Sequence, residues 1–308
     1  SLNCIEIEQD LADDPIAACR DRLLDEGINL NMYNSAQSAA DVNDLRIVLG
    51  YDDVNLWGIS YGTKLALTVM RDFPENIRSV VLDSVYPPEI DAMSLIPVSF
   101  VDALNALFDR CAADFDCADY FPDLEDLFYE LIVMLDHEPL WIETEDGDLE
   151  ISGEEILTQL FLALYDTARI PYLPYALALL AEINDEDWVL DGYDILTGAY
   201  IPDGADDDFR ASDFMESAFV LDYIDEFGEI DDAEGVYYSV DCSEAYQFSD
   251  VDAAYAAAEA APAALQGYLL IEIEINVQSC EVWGVDTADL IENERVYSDI
   301  PALIYSGV

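Results

Sequence analysis

The sequence predicts an α/β fold: a parallel sheet with flanking helices, with a large, mainly helical cap inserted between core strands. Three observations carry that expectation. A strand, a helix and a second strand follow one another between residues 54 and 85, within the roughly 30 residues of a βαβ unit. A long stretch of helical periodicity comes next. The closing "DIPALIYSG" (299–307) then reads as one more buried strand.

Taken in order, "NSAQSAADVNDLRIVLG" (34–50) predicts a helix. Asn34 is its N-cap, with Gln37 three residues on as in a capping box. Ala39, Val42, Leu45 and Leu49 share one face, and Gly50 ends the run. "VNLWGIS" reads as a short buried strand, "TKLALTVMRDF" as a helix stopped before Pro74, and "IRSVVLDSV" as a second apolar strand. After "YPPE" (86–89) the pattern turns helical, as in "SFVDALNALFDRCAADF", "LEDLFYELIVML" and "DAAYAAAEAAPAALQGYLL". One hairpin interrupts it, because "LWIETEDGDLEIS" alternates on both sides of Asp146-Gly147, a type I′ turn pair. The expected organisation is a core over 1–89, a helical cap over 90–297 and a return strand over 298–308.

Charge excludes several functions. Ten Lys+Arg stand against sixty-eight Asp+Glu, a net charge of −58. Such a chain repels nucleic acid and anionic membranes. It is not expected to be disordered, since 53% of its residues are hydrophobic. The acidity fits a solvated surface in a high-salt or extracellular setting, where counterions screen the repulsion. A potential that attracts cationic substrates is a second reading, and cation binding by Asp-rich loops a third. "ETEDGDLE" lacks the order of a calcium loop, and "PDGADDDF" (202–209) reads as a solvated loop. No metal or cofactor is expected.

Six cysteines are present, with no C-x-x-C spacing. Proximity pairs Cys4 with Cys19 and Cys111 with Cys117, which leaves Cys242 with Cys280; this is one of fifteen connectivities, and buried thiols are the alternative. Disulfides would imply an oxidising compartment. No signal peptide is visible and no uninterrupted apolar run reaches the ~20 residues of a membrane span.

The chemistry centres on Gly58-Ile59-Ser60-Tyr61-Gly62, a G-x-S-x-G pattern between a predicted strand and a predicted helix. That context is what a nucleophile elbow requires. The glycines allow a strained turn that lifts the Ser60 hydroxyl above the sheet edge. The same turn aims the Tyr61 amide at a substrate carbonyl oxygen, as one oxyanion donor at a helix N-terminus. Serine needs a base, yet the single histidine, His137, lies in "MLDHEPL" before any later core strand. It reads as a surface or capping residue. Asp83, ending "SVVLD", reads as a structural hydrogen-bonding residue rather than the triad acid.

"NLWGISYGTKLALTVMRDFPENIRSVVLDSVYPP" resembles the tripeptidyl and prolyl aminopeptidase branch of the α/β-hydrolases, whose Gly-x-Ser-Tyr-Gly elbow precedes such a helix and an R-x-V-V-L-D strand. "SLNCIE" resembles the segment after that family's D-Q-R-G-x-G-x-S loop. "YYSVDCSEAYQF" resembles its Cys-x-Glu cap segment, and "SDIPALIYSG" the strand leading to its catalytic acid. The resemblance implies a serine peptidase that cleaves residues or short peptides from free N-termini by acyl transfer through Ser60. It also implies a catalytic Asp and His beyond Val308, a second oxyanion donor before Ser1, and hence an inert isolated stretch. Glu244 of the Cys-x-Glu segment is the expected partner of the substrate ammonium, and Tyr61 the second lining residue. An esterase on the same scaffold is one alternative. A non-catalytic relative acting as an acidic structural or interaction protein is the other. The expected location is extracellular or cell-envelope.

Overall fold

The computed structural model describes residues 2–8, 12–144, 147–199 and 233–306. The chain divides into two compact units: Ser1–Ile96 with Asp231–Ala257 and Ile271–Val308, and Pro97–Ile230 with Ala258–Leu270. The helical insertion is therefore narrower than residues 90–297, because two of its segments return to the unit that holds the sheet. The disulfide Cys242–Cys280 joins those two segments.

The first unit begins with α1 (Ile5–Glu8), α2 (Pro15–Asp25) and α3 (Ser35–Leu49). The βαβ unit follows as β1 (Val54–Ile59), α4 (Tyr61–Asp72) and β2 (Ile77–Asp83). Asn34 caps α3 by accepting the Gln37 N–H at 2.9 Å, and Gly50 closes it at φ 76°, a left-handed conformation open to glycine at little cost. The expected apolar face of α3 is only partly covered: Ala39 is buried, whereas Leu45 and Leu49 are exposed. β1 likewise exposes Trp57, so it is not the buried strand its apolar run suggests.

β1 and β2 run parallel, and β2 pairs in parallel with the last strand, β5 (Ala302–Tyr305), giving the order β1-β2-β5. The register sets Ile59, Asp83 and Tyr305 side by side at the strand ends. Ala66 and Met70, one turn apart on α4, pack with Val80 and Leu82 of β2. Each larger side chain buried there contributes about 1.5–3 kcal/mol, and together they fix the helix that starts at Ser60. A second core of the same unit gathers Leu23, Leu30 and Trp283 around the disulfides Cys4–Cys19 and Cys242–Cys280.

The second unit contains most of α5 (Ala92–Ala113), then α6 (Phe115–Tyr120), α7 (Leu124–His137), the hairpin β3 (Leu140–Thr144) and β4 (Gly147–Ile151), α8 (Gly153–Ala163), α9 (Leu173–Leu180) and α10 (Glu186–Thr197). In the hairpin Gly147 already pairs with Thr144, so it belongs to the ladder rather than to the turn. The preceding Asp146 and the loop 202–209 lie outside the described residues. Cys111–Cys117 forms the third disulfide, so all three pairings drawn by proximity are present. Among the described residues α5 alone is long and apolar enough to cross a membrane by length and composition, a pattern that a search for unbroken apolar runs passes over. Its Phe100 packs on Phe161 and Tyr268, and its Phe108 on Phe128 and Tyr129, as in a core helix. Three further helices are present among the described residues: α11 (Glu234–Glu244), α12 (Val251–Ala260) and α13 (Ala263–Trp283), the last two separated at Pro262.

Candidate active site

Ser60 stands between β1 and α4 with φ 53° and ψ −124°. Positive φ is costly for a residue with a Cβ, by about 1–3 kcal/mol, and persists only where its surroundings hold it. The restraints are visible. The Ser60 N–H donates to the Asp83 carbonyl at 3.0 Å, bracing the turn against the neighbouring strand. The Ser60 carbonyl accepts from the Thr63 amide at 2.9 Å and the Thr63 hydroxyl at 2.6 Å. That hydroxyl in turn accepts the Tyr86 N–H at 2.7 Å, linking the elbow to the loop after β2.

Ser60 is the N-cap of α4, yet its hydroxyl makes no capping hydrogen bond. It is exposed and faces a cavity of about 420 Å³. A Cβ on Gly58 would overlap the Gly62 carbonyl and sit 2.8 Å from the Thr63 nitrogen, which explains glycine there. Gly62 differs: a Cβ would meet no described atom within 4 Å, so steric exclusion accounts for the first glycine only.

The cavity is walled by Tyr61, Lys64 and Tyr86 on one side and by Val236, Tyr237, Val240 and Asp241 of α11 on the other. Burial pushes the Tyr61 and Tyr86 hydroxyls up to about 12, so both stay protonated at neutral pH. Asp241 lines the cavity without a described side-chain hydrogen bond. Its carboxyl is raised above the usual range chiefly by burial, with the Lys64 cation opposing and the Glu244 charge adding to the rise.

Glu244 is expected from the sequence to face the substrate, but its carboxylate is spent inside the protein. It accepts the Ser35 N–H at 2.5 Å and the Ser35 hydroxyl at 2.7 Å, and it pairs with Lys64 Nζ at 3.1 Å. The side chains of Lys64 and Glu244 are 3% and 0% exposed. Lys64 Nζ also lies 5.5 Å from the centre of the Tyr86 ring, a cation–π distance. The acid presented to the cavity is instead Asp241, three residues earlier on the same helix.

Lys64, Ser35 and Asp241 escape a motif search. One signal was available: Lys64 is the only lysine of the sequence, and it falls one helical turn after Ser60. His137 is the exposed last residue of α7, in the second unit. Asp83 contributes its main-chain carbonyl, while among the described residues its carboxylate accepts only from the Ser84 hydroxyl at 3.3 Å. Among the described residues no three His, Cys, Asp or Glu side chains converge as a metal site.

A serine at positive φ, with a free hydroxyl at the start of a helix and its amide braced on the next parallel strand, has the strand–turn–helix geometry that a nucleophile elbow requires. Residues 13–123 match the family model described as alpha/beta hydrolase fold. The chain is also 30% identical over 82 residues to proteins named "Serine protease Hip1" from Mycobacterium bovis and Mycobacterium tuberculosis. That stretch covers 26% of this chain and 16% of the length of those relatives.

Proposed function

We propose that the protein is a serine hydrolase of the aminopeptidase type, releasing residues or short peptides from free N-termini. The backbone of Ser60 carries the reading, because a positive φ held at a serine in a strand-to-helix turn is the strained geometry a nucleophile elbow uses. In the proposed reaction the Ser60 hydroxyl attacks the scissile carbonyl carbon, and the amide of Tyr61 stabilises the oxyanion. The acyl group is held on Ser60 while the amine departs, and water releases it. The Ser60 proton passes to a general base, which returns it to the departing amine.

Asp241 supports the choice of a free amino terminus. It is an acid without a described side-chain hydrogen bond in a largely apolar cavity beside Ser60, and a substrate ammonium would supply one that is charge-assisted. Three disulfides that consume every cysteine support an extracellular or envelope location, and the surrounding acidity fits counterion-rich surroundings.

The test uses the full-length protein and a pair of aminoacyl-arylamides, one with a free amine and one N-acetylated. The free-amine substrate should have the higher kcat/KM by about 10- to 100-fold, as a charged hydrogen bond gives, and Asp241→Asn should erase the difference. Equal rates on the two substrates, or a preference that survives Asp241→Asn, would sink the assignment.

A further inference from the structure

We infer that Glu244 and Lys64 are positioning residues for the nucleophile elbow; this rests on the serine-hydrolase reading of Ser60. Four buried or largely buried polar side chains form one connected chain behind the elbow. Ser35 sits at the start of α3, Tyr61 and Lys64 in the first turns of α4, and Glu244 at the end of α11.

The proton directions follow from counting. Ser35 has one hydroxyl proton, and it goes to Glu244 Oε2 at 2.7 Å. The 2.8 Å contact between the Ser35 and Tyr61 oxygens is therefore donated by the Tyr61 O–H. A single carboxylate thus ends two lines, one from Tyr61 through Ser35 and one directly from Lys64. Those two residues are the first and fourth after Ser60, so the carboxylate grips the start of α4 at two points, the residue that carries the oxyanion amide and the one three positions on. The Tyr61 phenol, kept protonated by burial, is always a donor to this line.

A buried ion pair is weak evidence for stability, because desolvation offsets most of the attraction. Its better-attested use is to fix geometry, and the geometry fixed here is where the Tyr61 N–H points. The carboxylate is itself anchored: Cys242, two residues before it, is bonded to Cys280 of α13. α11, the helix of Glu244, carries Val236, Tyr237, Val240 and Asp241 into the cavity. Glu244 therefore sets elbow and cavity wall in one register without touching the substrate.

The test is carried out on the full-length protein with a fluorophosphonate probe and a free-amine aminoacyl-arylamide. Glu244→Gln should lower the rate of Ser60 labelling per folded molecule at least tenfold and lower kcat to match, with KM within twofold of the parent. Tyr61→Phe removes only the terminal hydroxyl and spares the ion pair. It should move labelling and kcat in the same direction, by about threefold, with KM unchanged. A purely structural role would lower the melting temperature and leave the labelling rate of the folded fraction unchanged; that result in both variants would overturn the inference. If the parent protein itself failed to label at Ser60, the serine-hydrolase reading would fall, and the positioning role with it.

Discussion

The pairing of Lys64 with Glu244 makes a quantitative demand on stability. Nζ and Oε2 are 3.1 Å apart and both side chains are essentially removed from water. Removing one partner of such a pair costs about 3–5 kcal/mol, because the other charge stays buried and unmatched. Lys64→Met should fall at the lower end, about 3 kcal/mol, since Glu244 keeps both hydrogen bonds from Ser35. Glu244→Gln should cost more, about 4 kcal/mol, because it strands the ammonium among Tyr86, Tyr61 and Asp241. The double variant removes both members of the pair, so its cost should fall below the sum of the singles by about 2–3 kcal/mol. Hydrogen exchange at the β2 amides, Ile77–Asp83, reads the opening of this unit separately from the second one. Additive costs, or single-variant losses under about 1 kcal/mol, would refute the reasoning.

The other expectations concern covalent links, the turn and pH. Replacing both Cys242 and Cys280 with Ala removes a 38-residue closure, for which loop entropy gives about 4 kcal/mol; a loss under about 1 kcal/mol in the same exchange measurement would contradict that. Gly58→Ala should abolish fluorophosphonate labelling, whereas Gly62→Ala, with open space around its Cβ, should retain at least about a third of the parent rate. Asp241 has its folded pKa above the unfolded 3.8, so the native state holds more protons between the two values and stability falls as pH rises through that window. Asp241→Asn should therefore be more stable than the parent at about pH 7 and equal to it near pH 3; equal stability at both would remove the claim that this carboxylate is strained by burial.

Much of the sheet could be read from the residues because its signals are local. Asn34, Gly50 and Pro74 mark where helices start and stop, and the strand–turn–helix context of Ser60 is contained within a dozen positions. The disulfide pairs were legible for a similar reason, since each joins the cysteine nearest in sequence. Burial was not. Leu45, Leu49 and Trp57 have the pattern of core residues but are exposed, because periodicity names an apolar face without naming what covers it. The support of the elbow was hidden for another reason. Ser35 and Glu244 are 209 residues apart and meet only in the fold. An acidic chain offers too many carboxylates for composition to choose between Glu244 and Asp241. The limits of the insertion were hidden likewise, because helical pattern cannot tell which helices return to the sheet.

The central claim is that Ser60 is an activated nucleophile held ready by its backbone. The most direct measurement is fluorophosphonate labelling of the full-length protein followed by peptide mass spectrometry. The account predicts one adduct, on Ser60, at a rate that Ser60→Ala reduces to zero. An adduct on another serine, or an unlabelled protein that is folded by its hydrogen-exchange protection, would contradict it.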